Sequence, residues 1–103
     1  MKLKFRVGDR VKEKTTKLDD HDDYQILAVF IGDECSGYIY VNLYSMGVFA
    51  EDFYEFDKRT KLSEHRDDVD TLRDFLKDRF ENMKKQVKSQ GFSNLTFFEK
   101  NEI

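Results

Sequence analysis

Asp19, Asp20, His21, Asp22 and Asp23 form a dense run of metal-ligating side chains, and their oxygen-rich chemistry suits a hard cation such as Ca²⁺ or Mg²⁺. The run lacks the alternating ligand spacing, the glycine and the distal glutamate of an EF-hand loop. It reads as a solvated acidic loop, with metal coordination as the competing use. Cys35, His21 and His65 offer no paired ligand spacing, so a zinc site would need distant carboxylates to converge. Nucleophilic catalysis would need a base beside Cys35 or a serine, oriented by a third group. The 21 Asp and Glu residues guarantee some close pairs, but none stands in an apolar setting that would tune its pKa. The 5 glycines are scattered as turn residues and form no phosphate loop. These readings predict no metal, no cofactor and no enzyme, and they turn attention to binding chemistry.

Three groups of residues carry that chemistry. Asp19, Asp20, Asp22 and Asp23 would present negative charge to a partner. Tyr38, Tyr40 and Tyr44 share one face of a strand-like run whose other face holds Ile39, Val41 and Leu43. They either cover the outside of the sheet beneath a helix or line a binding surface, since tyrosine is enriched where proteins meet. On a helical wheel Arg66, Arg73, Lys77, Lys84 and Lys88 form a basic stripe for phosphate or an acidic partner, beside an acidic stripe of Asp67, Asp74, Asp78 and Glu81. Pairs such as Asp74 with Lys77 and Glu81 with Lys85 would hold a merely solvated face. Phe75 lies roughly 120° from the centre of the apolar seam, at 100° per residue, so it is either covered by the C-terminal segment or is a partner anchor.

The elements that position these residues follow from periodicity. Leu3, Phe5 and Val7 alternate as in a half-buried strand, Gly8-Asp9 makes a turn or bulge, and Val11 resumes the buried face. Tyr24 to Ile31 and Tyr38 to Tyr44 read as strands. Over 62–89 the period becomes helical, with Leu62, His65, Val69, Leu72, Leu76, Phe80, Met83 and Val87 on one seam. Ser63 is the expected N-cap and Gly91 the C-terminal stop. The segment 92–99, with three phenylalanines, returns as a short edge strand or tail, docked internally or at a dimer contact.

The Gly8-Asp9-x-Val11 opening resembles the start of SH3-like small β-barrels, and Gly47 to Phe53 looks like the closing strand and short turn of such barrels. The resemblance implies a strongly bent antiparallel sheet or SH3-like barrel of four or five strands over 3–57; with the long amphipathic helix over 62–89 and the C-terminal strand or tail expected from periodicity, the chain reads as an α+β domain.

Composition bounds the function. A single domain accommodates all 103 residues. With 10 Phe and 5 Tyr but no Trp or Pro, large aromatics supply the core. One cysteine and no secretory-type apolar stretch predict a reducing, cytoplasmic setting, and no run approaches membrane-spanning length. The net charge of −3 divides into −5 over 1–57 and +2 over 58–103, which argues against the strand-rich half as a phosphate platform. The expectation is a small non-enzymatic protein-binding module, monomer or homodimer, acting through acidic and aromatic surfaces. In style the chain is similar to accessory proteins of phages or mobile elements, including inhibitors of CRISPR effectors, and such an inhibitor would occupy a nucleic-acid-handling partner. The alternative is a nucleic-acid-binding or regulatory module using the basic helix stripe.

Overall fold

The structure, a computed structural model, describes residues 2–14, 23–90 and 94–101. Its elements are β1 (Asp9–Glu13), β2 (Asp23–Ile31), β3 (Ser36–Asn42), β4 (Val48–Asp52), α1 (Phe53–Arg59), β5 (Thr60–His65), α2 (Val69–Phe75), α3 (Lys77–Lys88) and β6 (Thr96–Phe98). The strands form one antiparallel sheet in the order β4-β3-β2-β1-β5, with β6 added beside β2. β4 and β5, the ends of this path, do not pair with each other. The sheet is therefore open, which corrects the expected barrel.

Local chemistry explains each element. β2 is a nine-residue run, DYQILAVFI, with seven consecutive buried residues, the mark of a central strand covered on both faces. Bulges interrupt its pairing with β3 between Ile26 and Ala28, and the pairing of β1 with β5 between Arg10 and Val11. Each bulge bends and twists the strand that carries it. Asp52 caps α1 by accepting from the Glu55 amide at 3.3 Å, one of the helix-start donors that need a partner. α1 connects β4 to β5, and its fully buried Phe56 packs against Phe5, Tyr24, Tyr38 and Tyr40.

The N-terminal expectation needs correction. Phe5 and Val7 are buried, yet residues 2–8 form no strand. Instead Asp9 Oδ2 accepts the Arg6 amide at 3.0 Å, while the Asp9 amide donates to the Arg6 carbonyl at 3.0 Å. This turn consumes the groups that a ladder would need. Gly8 sits at φ +95°, and a side chain there would run into the Arg66 carbonyl oxygen; only glycine meets both demands without strain.

A second correction concerns the long helix, which is absent. Residues 60–65 are the edge strand β5, paired with β1, so Leu62 and His65 leave the helical seam and Ser63 is not a cap. Their three-residue spacing matches a helix by coincidence; the extended backbone is decided by β1. Leu76, at φ −98° and ψ 20°, separates α2 from α3, although Leu76 N still donates to Leu72 O at 3.0 Å and Phe80 N to Leu76 O at 2.9 Å. Neither proline nor glycine stands at the break. The remaining seam does enter the core: Val69, Leu76, Phe80 and Val87 are buried, and Leu72 and Met83 pack against them. Gly91 lies outside the described residues. β6 pairs with β2 through Val29, Phe30 and Ile31, so the tail docks on its own sheet.

Candidate functional site: an acidic and aromatic face

The α2–α3 unit decides which of the expected surfaces exist. Two residues of the expected basic stripe are taken into the fold. Arg73 is buried; its guanidinium donates to the Leu27 carbonyl at 2.8 Å, pairs with Asp70, and lies 3.4 Å from Glu99. Lys84, also mostly covered, pairs with Glu81 at 3.0 Å and Glu99 at 3.5 Å. Lys88 Nζ stands 5.4 Å from the Phe97 ring centre, a cation–π arrangement. Arg66 pairs with Glu64 at 3.3 Å. Of the five residues Lys77 and Lys88 are exposed without a described ion pair.

The acidic side survives. Asp67, Asp68, Asp70, Asp74, Asp78 and Glu81 are all exposed, whereas the exposed cations between residues 67 and 81 are Lys77 and Arg79. Arg79 is turned to the β3–β4 turn, where Nη1 donates to the Met46 carbonyl at 2.7 Å. Asp74 and Asp78 make no ion pair among the described residues, so the Asp74–Lys77 pair expected of a solvated face does not form. Phe75, 76% exposed, stands between these carboxylates. It is not covered by the C-terminal strand. Beside it runs an open groove of about 710 Å³, walled by Ser45 and Met46 of the β3–β4 turn and by Phe75, Leu76 and Arg79. Tyr44, 66% exposed, extends from that turn.

The other two tyrosines expected on the strand face are not available to a partner. Tyr38 and Tyr40 are buried beneath α1, with Tyr38 Oη donating to Asp57 Oδ1 at 2.9 Å and Tyr40 Oη to Glu51 Oε1 at 3.1 Å. Burial, reinforced by Asp57, holds the Tyr38 hydroxyl far above its ordinary pKa, while burial and then Glu51 push Tyr40 up to about 12. The binding face proposed for the strand is thus core, because β4 leads directly into a helix that lies over it. Of the acidic loop, Asp19, Asp20 and Asp22 lie outside the described residues, as does His21. Asp23 begins β2 and stands 3.7 Å from Lys12.

One constellation escaped the sequence reading. His65 Nδ1 lies 2.6 Å from Asp9 Oδ1, and Nε2 lies 2.5 Å from Asp67 Oδ1. Asp9 and His65 are 56 residues apart, and no periodic pattern links them; the sole local signal was Asp67 two residues after His65. Glu99, which neutralises Arg73 and Lys84, was equally invisible. Elsewhere, burial and then Glu34 raise the Cys35 thiol, opposite to the activation of a nucleophile. Among the described residues no three His, Cys, Asp or Glu side chains are grouped to hold a metal ion, and no helix is long and apolar enough to cross a membrane. No protein-family model, curated protein or solved structure matches the chain.

Proposed function

We propose that the protein is a small non-enzymatic binding module that docks its acidic α2–α3 face, with Phe75 as the apolar anchor, onto a cationic surface of a partner protein. The observation that carries this reading is the exposed phenylalanine flanked in the chain by Asp74 and Asp78, two carboxylates that make no ion pair among the described residues. A large exposed aromatic ringed by charge is the composition of an interface centre and rim. Uncompensated carboxylates steer a basic partner and make association salt-dependent. Cationic surfaces of this kind occur on nucleic-acid-handling proteins, whose channels must hold phosphates. On such a partner the acidic face would compete with nucleic acid, which makes the module an inhibitor.

The nucleic-acid-binding alternative is weakened by the burial of Arg73 and the internal pairing of Lys84. Titration with a lysine- and leucine-containing cationic peptide and, in parallel, with a short DNA duplex separates the two. The expected result is peptide binding that weakens with salt, falls about tenfold or more in F75A, as loss of an interface anchor does, and is lost in D74K/D78K. Duplex binding at low ionic strength, with no peptide binding, would overturn the proposal.

A further inference from the structure

The imidazole of His65 is held from both sides. Asp9, buried and fixed by the Arg6 amide at 3.0 Å, approaches Nδ1; Asp67, 93% exposed at its side chain, approaches Nε2. Both ring nitrogens can donate only in the imidazolium. We propose that His65 is a proton-operated latch that holds the start of the acidic face against the β1 turn and releases Asp67 to that face when the ring loses its proton. The assignment of which bond breaks follows from geometry. A neutral ring keeps one N–H, and the buried Asp9 carboxylate needs it more than the solvated Asp67 does. The Nε2 lone pair then faces a carboxylate, and Asp67 can turn into water at little cost.

The latch spans three segments. Arg66 N donates to the Gly8 carbonyl at 3.0 Å, so residues 65–67 are already strapped to the turn that carries Asp9. Arg6 Nε lies 3.8 Å from Asp9 Oδ1 and opposes the imidazolium charge. Glu64 is engaged by Arg10 at 3.5 Å and Arg66 at 3.3 Å. Across a small cleft, Asp70 of α2 and Glu99 and Lys100 of the C-terminal segment face Asp67. The Asp9 hydrogen bond is the largest influence on the ring and raises its pKa; partial burial opposes it, and Asp67 adds to it. Stability from the latch is thus fully present below the ordinary histidine value of about 6.5 and is lost as pH rises through the raised folded value.

Opening removes one positive charge and frees one negative one at the end of the face read above as a docking surface; this consequence, unlike the latch, rests on that reading. The decisive experiment is an NMR titration of the imidazole carbons in the full chain, with H21Q assigning the second histidine. The expected result is a His65 midpoint above the ordinary value, lowered in D67A, together with faster amide exchange at Arg66 above that midpoint in the wild type. A midpoint at the ordinary value, or one unmoved in D67A, would overturn the latch. Binding of the lysine- and leucine-containing peptide is measured alongside. It should strengthen about two- to five-fold as pH passes the midpoint, the effect of one exposed charge, and change less in D67A, where only the ring's own charge is lost. Absence of peptide binding at every pH overturns the docking reading and leaves the titration to decide the latch.

Discussion

At the scale of single residues, the Gly8-Asp9 pair and the buried tyrosine hydroxyls bind distant segments into one core. Gly8 combines a positive φ with close approach to the Arg66 carbonyl, and its own amide donates to the Ile26 carbonyl at 2.9 Å. G8A should destabilise the protein by about 1–3 kcal/mol or more, the cost of a forced left-handed residue plus a clash, read as a lower urea midpoint at unchanged m. The tyrosines set an alkaline limit. In the unfolded chain Tyr40 ionises near 10, whereas in the fold it resists up to about 12. Between those values the unfolded state binds fewer protons than the folded one, so stability falls as pH rises. Denaturation midpoints should decline across that window. The decline should be shallower in Y40F, which has no Tyr40 proton to lose.

At the scale of elements, the C-terminal strand is the counter-charge of the α2–α3 unit. Glu99 reaches both Arg73 and Lys84, Asn101 accepts the Val7 amide at 2.9 Å and donates to the Val7 carbonyl at 3.2 Å, and Phe97 packs on Phe30 with ring centres 6.3 Å apart. Three strand residues are too few to hold an edge by ladder bonds alone; these side chains anchor it. Replacing Arg73 by Leu strands the Leu27 carbonyl and leaves Glu99 without its guanidinium. A loss of about 1–3 kcal/mol is expected from one unsatisfied buried acceptor, together with faster amide exchange in residues 96–98. E99Q should give the exchange effect with a smaller loss of stability, because Glu99 is 44% exposed.

At the scale of the whole molecule, folding sorts charge by sign. Within residues 67–81 Arg73 is drawn into the body and Arg79 turns to the β3–β4 turn, while six carboxylates stay outside, so this stretch presents a negative face although residues 58–103 carry a formal positive balance. Because Phe75, Asp74 and Asp78 are exposed and take no part in the core, F75A and D74K/D78K should leave stability within about 0.5 kcal/mol of the parent. The same variants should weaken peptide binding about tenfold or more in F75A and abolish it in D74K/D78K. Equilibrium unfolding and titration on the same samples check both. A matching loss of stability and affinity would place these residues in the fold rather than in recognition.

Much of the secondary structure was legible in the sequence because it rests on local periodicity. The continuous apolar run of β2 and the seam Val69, Leu72, Leu76, Phe80, Met83 and Val87 mark buried faces whatever they pack against. The exposure of Phe75 also followed from its angle on the wheel, once internal cover by the tail is set aside. The rest was decided across distance. Leu62 and His65 fit a helix until β1 offers a strand partner; Tyr38 and Tyr40 are surface residues until α1 lies over them. Arg73 counts toward a basic stripe until the Leu27 carbonyl, 46 residues away, and Glu99 take its protons. Periodicity states which face of an element is apolar, but it carries no term for which polar groups meet. That pairing took Arg73 and Lys84 out of the basic stripe, left the neighbouring acidic stripe outside, and set His65 between two carboxylates.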